Sequence, residues 1–206
     1  MCPPIVPASS SSLMLAMSFA AGTFSAGASA NPLHLMLATV DNGVPNNPLP
    51  LIIYPRVGLH EVEEGEEEDI AGWFEKTFAQ HHWTPRWRYP IHPYTHYHPN
   101  THELLGVGAG WAEVLFGGDN GRMVTLRAGD AVLIPAGVGH KQVAASEDFF
   151  CVGAYPNQME PETLRDDKSL LERSQERISH VPLPESDPLT GGEGALTHFW
   201  HPVAQH

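Results

Sequence analysis

Four residues of this 206-residue chain have the types and the spacing of a metal-binding site. His96 and His98 lie two positions apart, and Glu103 follows five positions after the second histidine. His140 comes later, after a turn that is rich in glycine. Three neutral imidazoles and one carboxylate form a ligand set that suits a divalent first-row transition metal. The sequence therefore predicts a metal centre built from these four side chains.

The separation between His98 and Glu103 requires two strands joined by a turn. Residues two apart on a strand point to the same side, so His96 and His98 can face the interior together. The same straight strand cannot also present Glu103 on that side, because a separation of five is odd. The pair Pro99-Asn100 supplies a turn, and the carboxylate then returns from the start of the next strand.

The same alternation places further polar side chains near this centre. Gln142 would share the inner face with His140. Tyr94 and His92 would lie on the face of the paired histidines if their strand begins early enough. His102, directly before the carboxylate, should point the opposite way. We therefore expect His102 to be a surface or supporting residue and not a ligand.

The rest of the chain predicts an all-β fold. Short apolar runs are separated by turns rich in Gly and Pro, without the alternation of strands and helices that a parallel sheet needs, so we expect an antiparallel sandwich or barrel. Residues 83–94 contain three prolines and predict an edge strand or an irregular approach. The other predicted strands are residues 33–40, 49–54, 103–107, 111–116, 123–127, 131–134, 141–144 and 149–154.

Two helices are predicted beside these strands. Asp69 is suited to cap a helix whose apolar stripe consists of Ile70, Trp73, Phe74 and Phe78. A second helix, over residues 162–178, would lie on the surface of the β-domain. Residues 181–200 are rich in Pro and Gly and predict a wrapping tail without regular structure.

These elements divide the chain into three parts. Residues 1–32 form an N-terminal extension whose short apolar run and Ala28-Ser29-Ala30 resemble a secretory signal, although no Lys or Arg precedes the run. Residues 33–160 hold the β-domain, with an acidic loop and one helix before the histidines. Residues 161–206 hold the C-terminal helix and the tail. We expect a cytoplasmic protein, or a secreted one if residues 1–30 are a signal peptide.

Charge and cysteine content exclude several classes of partner. Eleven basic residues against 24 acidic ones leave a formal charge of -13, which disfavours nucleic acid and anionic membranes as partners. The apolar run near the N-terminus, about nine residues long, is too short to span a bilayer. Cys2 and Cys151 do not form a disulfide framework, and the apolar neighbours of Cys151 predict a buried free thiol. A small-molecule substrate is the expected partner.

The two groups of ligands stand in motifs that resemble those of the cupin family. His96-x-His98-x4-Glu103-x6-Gly110 resembles the first cupin motif, and Gly129-x5-Pro135-x-Gly137-x2-His140 resembles the second. Pro90 and Ala144 depart from the usual motif residues, but neither is a ligand position. The likeness covers roughly residues 33–200, and it is closest to the YjlB-like branch of the family in residues 45–51, 134–141, 152–156 and 181–184.

The resemblance implies a single conical antiparallel β-barrel (a jelly roll) with a few peripheral helices. It also implies that His96, His98, Glu103 and His140 bind the metal, with Fe(II) or Mn(II) expected first and Ni or Zn as alternatives. The chain is further similar to cupin oxidoreductases of fungal secondary metabolism that act on aromatic polyketides. By analogy with small cupins, whose sheet edges commonly pair, we expect a homodimer.

The function that the resemblance favours is that of a metal-dependent oxidoreductase, specifically an oxygenase acting on a small metabolite. Its predicted catalytic residues are Glu103, which could leave the metal or take a proton, and three residues that could orient the substrate: Tyr94, Gln142 and Arg88.

Two other functions stay open. In a redox-neutral isomerase, cyclase or decarboxylase, the metal would polarise a carbonyl group. In a binding protein without catalytic activity, the metal would only help to hold a small ligand. Trp87, Tyr89 and Trp111 could line an entrance suited to an aromatic substrate, or they could belong to the core.

Overall fold

The computed structural model describes residues 31–59 and 69–200. The signal-like segment within residues 1–30, the acidic loop over residues 61–68 and the end of the tail (201–206) lie outside the described residues. Within those ranges no helix is both long and apolar enough to cross a bilayer.

The described chain is mostly β-structure, as the sequence predicts. Its strands are β1 (Leu33–Leu37), β2 (Asn47–Tyr54), β3 (Trp83–Tyr89), β4 (His96–Tyr97), β5 (Glu103–Ala109), β6 (Trp111–Phe116), β7 (Arg122–Arg127), β8 (Ala131–Ile134), β9 (His140–Ala145), β10 (Phe150–Pro156) and β11 (Leu164–Arg165). Its helices are α1 (Ile70–Gln80), α2 (Leu171–Ser179) and α3 (Ala195–Trp200), with a 3-10 turn at Lys168–Leu170. The predicted strands are confirmed to within a few residues.

Two antiparallel sheets face each other across an apolar core. The larger has the order β1-β2-β8-β5-β10-β3, and the smaller has the order β11-β4-β9-β6-β7. The predicted closed barrel is wrong, because among the described strands no ladder joins one sheet to the other. The reason lies in the strands where closure would occur. β4 and β11 have two residues each, and Pro90 and Pro93 interrupt the run between β3 and β4, where they have no N–H to donate.

The central strands of the larger sheet (β2, β8, β5 and β10) are buried on both faces. On β2, Leu51 and Ile53 point into the core between the sheets, whereas Ile52 and Tyr54 point toward the helices on the outer face. This double burial explains why the strand is a continuous apolar run instead of an alternating one. The inner core also contains Cys151, which is confirmed as a buried free thiol.

Helix α1 packs on the outer face of the larger sheet, as its apolar stripe predicts. The Asp69 carboxylate caps it by accepting a hydrogen bond from the Gly72 N–H at 2.7 Å. Phe74 and Phe78 are fully buried, and the strand below leaves room for the first of them at Gly106. A Cβ added there would lie 2.5 Å from Phe74 Cγ.

The C-terminal region differs from its prediction in two places. Residues 162–178 are not one helix, because Leu164–Arg165 forms β11 and pairs with β4 before α2 begins at Leu171. The tail is also not wholly irregular, because it contains α3. Trp200 at the end of α3 is 1% exposed, and its indole N–H donates to the Pro50 carbonyl at 2.8 Å.

Buried Asp187 organises this tail. Its carboxylate accepts a hydrogen bond from the Tyr54 hydroxyl at 2.7 Å and others from three backbone N–H groups, those of Leu189, Thr190 and Leu196. These tertiary contacts stabilise a helix of six residues that is too short to form by itself.

Candidate metal centre

The three predicted histidine ligands come together at two neighbouring strands of the smaller sheet, β4 and β9. His96 begins β4, His140 begins β9, and the two form a direct cross-strand pair. His98 follows β4 immediately. Ligand atoms of these three side chains all lie within 4.8 Å of one another, and each residue is at most 6% exposed.

Glu103 joins this cluster from the larger sheet. It is the first residue of β5, after the turn that contains Pro99 and Asn100. Its Oε1 lies 3.0 Å from His140 Nε2, and its Oε2 lies 3.0 Å from His98 Nε2. The structure thus brings all four predicted side chains to one point, and their role as ligands stays a prediction.

Hydrogen bonds to the backbone orient the three imidazoles in the same way. The Nδ1 atoms of His96, His98 and His140 lie 3.0, 2.8 and 3.0 Å from the carbonyl oxygens of Tyr94, Glu162 and Val138, respectively. Carbonyl oxygens only accept, so each Nδ1 carries a proton, and in a neutral ring each Nε2 then offers a lone pair to the centre. This is the usual arrangement of metal-binding histidines.

The resulting centre fits a divalent cation. Nε2 of His98 and Nε2 of His140 are buried without a hydrogen-bond partner among the described residues, yet each is 3.0 Å from a carboxylate oxygen of Glu103. In neutral rings these lone pairs would repel the carboxylate, and a cation between them would remove the repulsion. Oxygen and imidazole donors together suit first-row transition metals.

Burial and charge set the protonation of the cluster. Burial, followed by the charge of His140, lowers the pKa of His96 to about 2, so this ring stays neutral. Burial alone would raise the pKa of Glu103, but a proton on Nε2 of His98 or His140, which a divalent cation would replace, holds it well below its usual range through its charge and its hydrogen bond. Burial likewise opposes protonation of His98, but the Glu103 carboxylate outweighs it and raises the His98 pKa. An ionised carboxylate and a neutral His96 are the forms that bind metals.

Tyr155 supports the carboxylate, and sequence reasoning missed it. Its hydroxyl donates to Glu103 Oε2 at 2.5 Å and accepts a hydrogen bond from the Trp87 indole N–H at 2.9 Å. Burial, and then the charge of Glu103, raises the pKa of this phenol, so it remains a donor. If Cys151 points inward, alternation along β10 predicts that Tyr155 points inward as well. Nothing in the sequence indicates that Tyr155 binds Glu103.

A cavity of about 260 Å³ leads to the four side chains. Its wall near the centre includes Pro161 and Thr163, which belong to a segment held in place by Asn100. The Asn100 amide donates to the Glu160 carbonyl at 2.8 Å, and its oxygen accepts from the Glu162 N–H at 2.9 Å. The remaining lining residues are Trp87, Tyr89, Pro90, Ile91, His92, His96, His98, Glu103, Leu105, His140 and Tyr155.

The structure does not bring the other predicted catalytic residues into this wall. Arg88 lies on the outer side of β3, opposite Trp87, and its Nε is 2.5 Å from Glu75 Oε1. Alternation along the strand explains this, because Trp87 takes the inward position. Gln142 accepts a hydrogen bond from the Ile91 N–H at 3.0 Å and so supports the segment beside the cavity.

Tyr94 stands just outside the cavity. Its ring stacks on His92, with centroids 4.8 Å apart and planes at 13°, and the Arg165 guanidinium carbon lies 3.3 Å from the centre of the Tyr94 ring. β4 begins only at His96, so Tyr94 precedes the strand and the alternation of that strand does not turn it inward. Of the three aromatic residues considered for the entrance, Trp87 and Tyr89 line the cavity, whereas Trp111 does not.

His102 points away from the centre, as predicted, but it is not on the surface. It is 1% exposed, its Nδ1 accepts a hydrogen bond from the Ala136 N–H at 2.9 Å, and its ring lies 4.7 Å from that of Trp200. Burial lowers its pKa to about 4. His102 therefore links β5 to the tail on the outer face of the larger sheet.

Fold and site together define a two-sheet β-protein with a buried three-histidine cluster suited to a divalent metal. No family model matches the sequence. The chain belongs to the YjlB family: it is 35% identical over 161 residues to the uncharacterized protein YjlB of Bacillus subtilis (strain 168). That alignment covers 78% of this chain and 92% of the relative.

Similar solved structures are more distant. One is Bacillus subtilis oxalate decarboxylase, studied for its Mn(II) centres, with 22% identity and a TM-score of 0.28 over 35% of this chain. The match spans only 20% of the decarboxylase chain. A double-stranded β-helix protein of Klebsiella pneumoniae has 15% identity and a TM-score of 0.29, covering 73% of this chain and 96% of the other. Likenesses this low decide neither the metal nor the reaction.

Proposed function

We propose that this protein is a metal-dependent oxidoreductase of the cupin type, and specifically an oxygenase that acts on a small metabolite. The observation that carries the proposal is the convergence of the lone pairs of His98 and His140 with the Glu103 carboxylate at the inner end of a cavity. When bound, the metal would act as a Lewis acid and redox centre beside a substrate oxygen.

The chain's own residues supply the surroundings that such chemistry needs. Ile91 and Leu105 give the cavity an apolar wall and limit water near the reacting atoms. Tyr155 holds the Glu103 carboxylate in one orientation through its short hydrogen bond. The backbone carbonyl partners of the three imidazoles keep their ring orientation fixed before any substrate enters.

Further parts of the proposal concern the ion, the setting and the assembly. We propose Fe(II) or Mn(II) as the bound ion. By analogy with the fungal cupin oxidoreductases of aromatic polyketides, we propose that the protein acts in a biosynthetic pathway. We also propose a homodimer in the cytoplasm. Exposed apolar side chains at the edge strands β1 and β7 support pairing of sheet edges: Leu33, Met36 and Met123 are 56, 59 and 50% exposed.

The metal centre is tested by elemental analysis of natively purified protein. We expect His96→Ala and His140→Ala to lose most of the bound metal, because each removes a buried donor. His180→Ala is the matched control, because His180 is exposed and lies outside the cluster. Full metal content in both site variants would contradict the assignment.

The reaction class is tested by oxygen uptake. The Fe(II)- and Mn(II)-loaded protein should consume oxygen in the presence of a small phenol or enol, and the His140→Ala variant should not. No uptake by either form with any phenol or enol of a size that fits the cavity would refute the oxygenase. Product formation under argon would instead favour a redox-neutral isomerase, cyclase or decarboxylase.

A further inference from the structure

No described residue that lines the cavity has a permanently charged cationic side chain. Among the described residues that line it, none is Lys or Arg, and the single carboxylate is Glu103. Nearby arginines are engaged elsewhere. Arg86 and Arg88 form ion pairs with acidic side chains outside the cavity, and Arg165 lies over the ring of Tyr94.

Most of this wall is apolar, and the Trp87 indole gives it a rigid, flat surface. The indole of Trp87 is tied to the Tyr155 hydroxyl at 2.9 Å and lies directly against Gly153, where an added Cβ would overlap the ring. This contact fixes the orientation of the indole from behind. The wall is completed mostly by apolar side chains: Tyr89, Pro90, Ile91, Leu105 and Pro161. Such walls bind the faces of aromatic rings.

The volume of the cavity limits the size of the ligand. An apolar cavity of about 150 Å³ is large enough to hold one benzene molecule. At about 260 Å³, this cavity has room for a substituted single ring or for two fused rings. Larger polycyclic molecules would have to remain partly outside.

Charge balance decides which polar group such a ring can carry. A divalent ion together with the Glu103 carboxylate leaves one net positive charge, which a single phenolate or enolate oxygen neutralises. A dicarboxylate would bring a second negative charge against an apolar wall without a cationic partner, and burying an unpaired charge is strongly unfavourable.

We infer that the cavity selects a one- or two-ring aromatic molecule with a single ionisable hydroxyl group and rejects dicarboxylates such as oxalate. This inference names the substrate class of the proposed metal-dependent function and rests on that function. It also separates this protein from the decarboxylase with which it shares a partial structural likeness.

Binding to the Zn(II)-loaded protein tests the inference without any redox reaction, because Zn(II) does not change its oxidation state. Isothermal titration calorimetry would compare 4-nitrophenol with oxalate and succinate, and the zinc content would be measured before and after each titration. We expect 4-nitrophenol to bind at least about tenfold more tightly than either dicarboxylate. Equal or tighter binding of a dicarboxylate to the zinc-loaded protein would overturn the inference.

A charge added at the cavity entrance supplies the complementary test. Tyr89 is 68% exposed at the entrance, so Tyr89→Arg adds a guanidinium group there with little effect on folding. We expect succinate binding to strengthen about tenfold in this variant. Val143→Arg is the matched control, since Val143 is 48% exposed on β9 and does not line the cavity. Equal strengthening in both variants would show that overall charge, not the cavity wall, sets the preference.

The outcomes separate this inference from the proposed function. Failure to bind zinc would remove both, because both require the metal centre. Tight binding of 4-nitrophenol without oxygen uptake by the Fe(II) and Mn(II) forms would refute only the oxygenase and support the substrate class. Oxygen uptake with a dicarboxylate and none with phenols would refute only the substrate class.

Discussion

Replacement of Tyr155 by Phe should weaken metal binding while preserving the shape of the core. The substitution removes one oxygen atom, the donor to Glu103 Oε2 at 2.5 Å, and keeps the buried ring. A hydrogen bond to a charged group contributes about 1.5–3 kcal/mol. Because about 1.4 kcal/mol corresponds to a factor of ten, the metal Kd should rise about 10- to 100-fold. This range is also typical when the supporting partner of a metal ligand is lost.

A double-mutant cycle separates this effect from a general loss of stability. In Tyr155→Phe, the Trp87 indole N–H loses its acceptor, which should lower the free energy of unfolding by about 1–3 kcal/mol. Trp87→Phe removes that donor but leaves the bond to Glu103, so its metal Kd should rise less than about tenfold. The double variant has no orphaned N–H, so it should recover part of the stability while its metal affinity stays low.

The assay is chelator competition for Zn(II) and for Mn(II), with urea denaturation of the metal-free proteins measured in parallel. The EPR spectrum of the Mn(II) form provides a readout that does not depend on stability, since rotation of the Glu103 carboxylate would alter the symmetry of the ligand field. A Kd for Tyr155→Phe within about threefold of wild type, with an unchanged Mn(II) spectrum, would refute the reasoning.

Three other predictions concern the scaffold. Gly153→Ala should lower the free energy of unfolding by about 1–3 kcal/mol, because its Cβ would overlap the indole above it, whereas Gly192→Ala, with nothing within 4 Å, should stay within about 0.5 kcal/mol. Asp187→Ala should lower the free energy of unfolding by about 3–5 kcal/mol, because it leaves the Tyr54 hydroxyl and three backbone N–H groups without their acceptor. The variant should still bind the metal, and a decrease below about 1 kcal/mol would contradict the prediction. As the pH falls from about 6.5 to 4, the free energy of unfolding should decrease by up to about 3 kcal/mol more in the wild type than in His102→Gln, because His102 takes up a proton at a higher pH in the unfolded chain than in the folded one. Equal slopes of the free energy of unfolding against pH in the two proteins would refute this.

The convergence of the four candidate ligands follows from rules that act over a few residues. Alternation puts His96 and His98 on one side, and the turn at Pro99-Asn100 returns the next strand toward them. The structure shows the expected result, with Glu103 within 3.0 Å of two imidazole nitrogens. Each step needs only local geometry, so it can be predicted from the sequence.

The orientation of the residues around this centre does not follow from local rules in the same way, because alternation depends on where a strand begins and on which face points inward. β4 starts at His96, so Tyr94 lies before the strand and stacks on His92 instead of pointing inward. On β3 the inward position belongs to Trp87, so Arg88 faces acidic side chains outside. A shift of one residue exchanges the two faces, and the sequence does not show which register the neighbouring strands will impose.

Sheet closure and the tail also depend on contacts between distant parts of the chain. The apolar runs predict strands but not whether the last ladder closes, and here the two-residue β4 and β11 leave two separate sheets. The tail reads as irregular because of its Pro and Gly content. Its short α3 nevertheless forms, since Trp200 packs against the larger sheet and donates to Pro50, 150 residues away.

By itself, the sequence determined the all-β class, the positions of most strands, and the set of donors that can meet at one metal. These properties depend on residue type and on spacings of two to five positions. Only the tertiary structure decided which nitrogen of each imidazole faces the centre, because the carbonyl that orients His98 lies 64 residues away, at Glu162. The same holds for the partner of Glu103, since Tyr155 is 52 residues distant. It holds too for the absence of Lys and Arg among the described residues of the cavity wall, because the fold places Arg86, Arg88 and Arg165 outside the cavity.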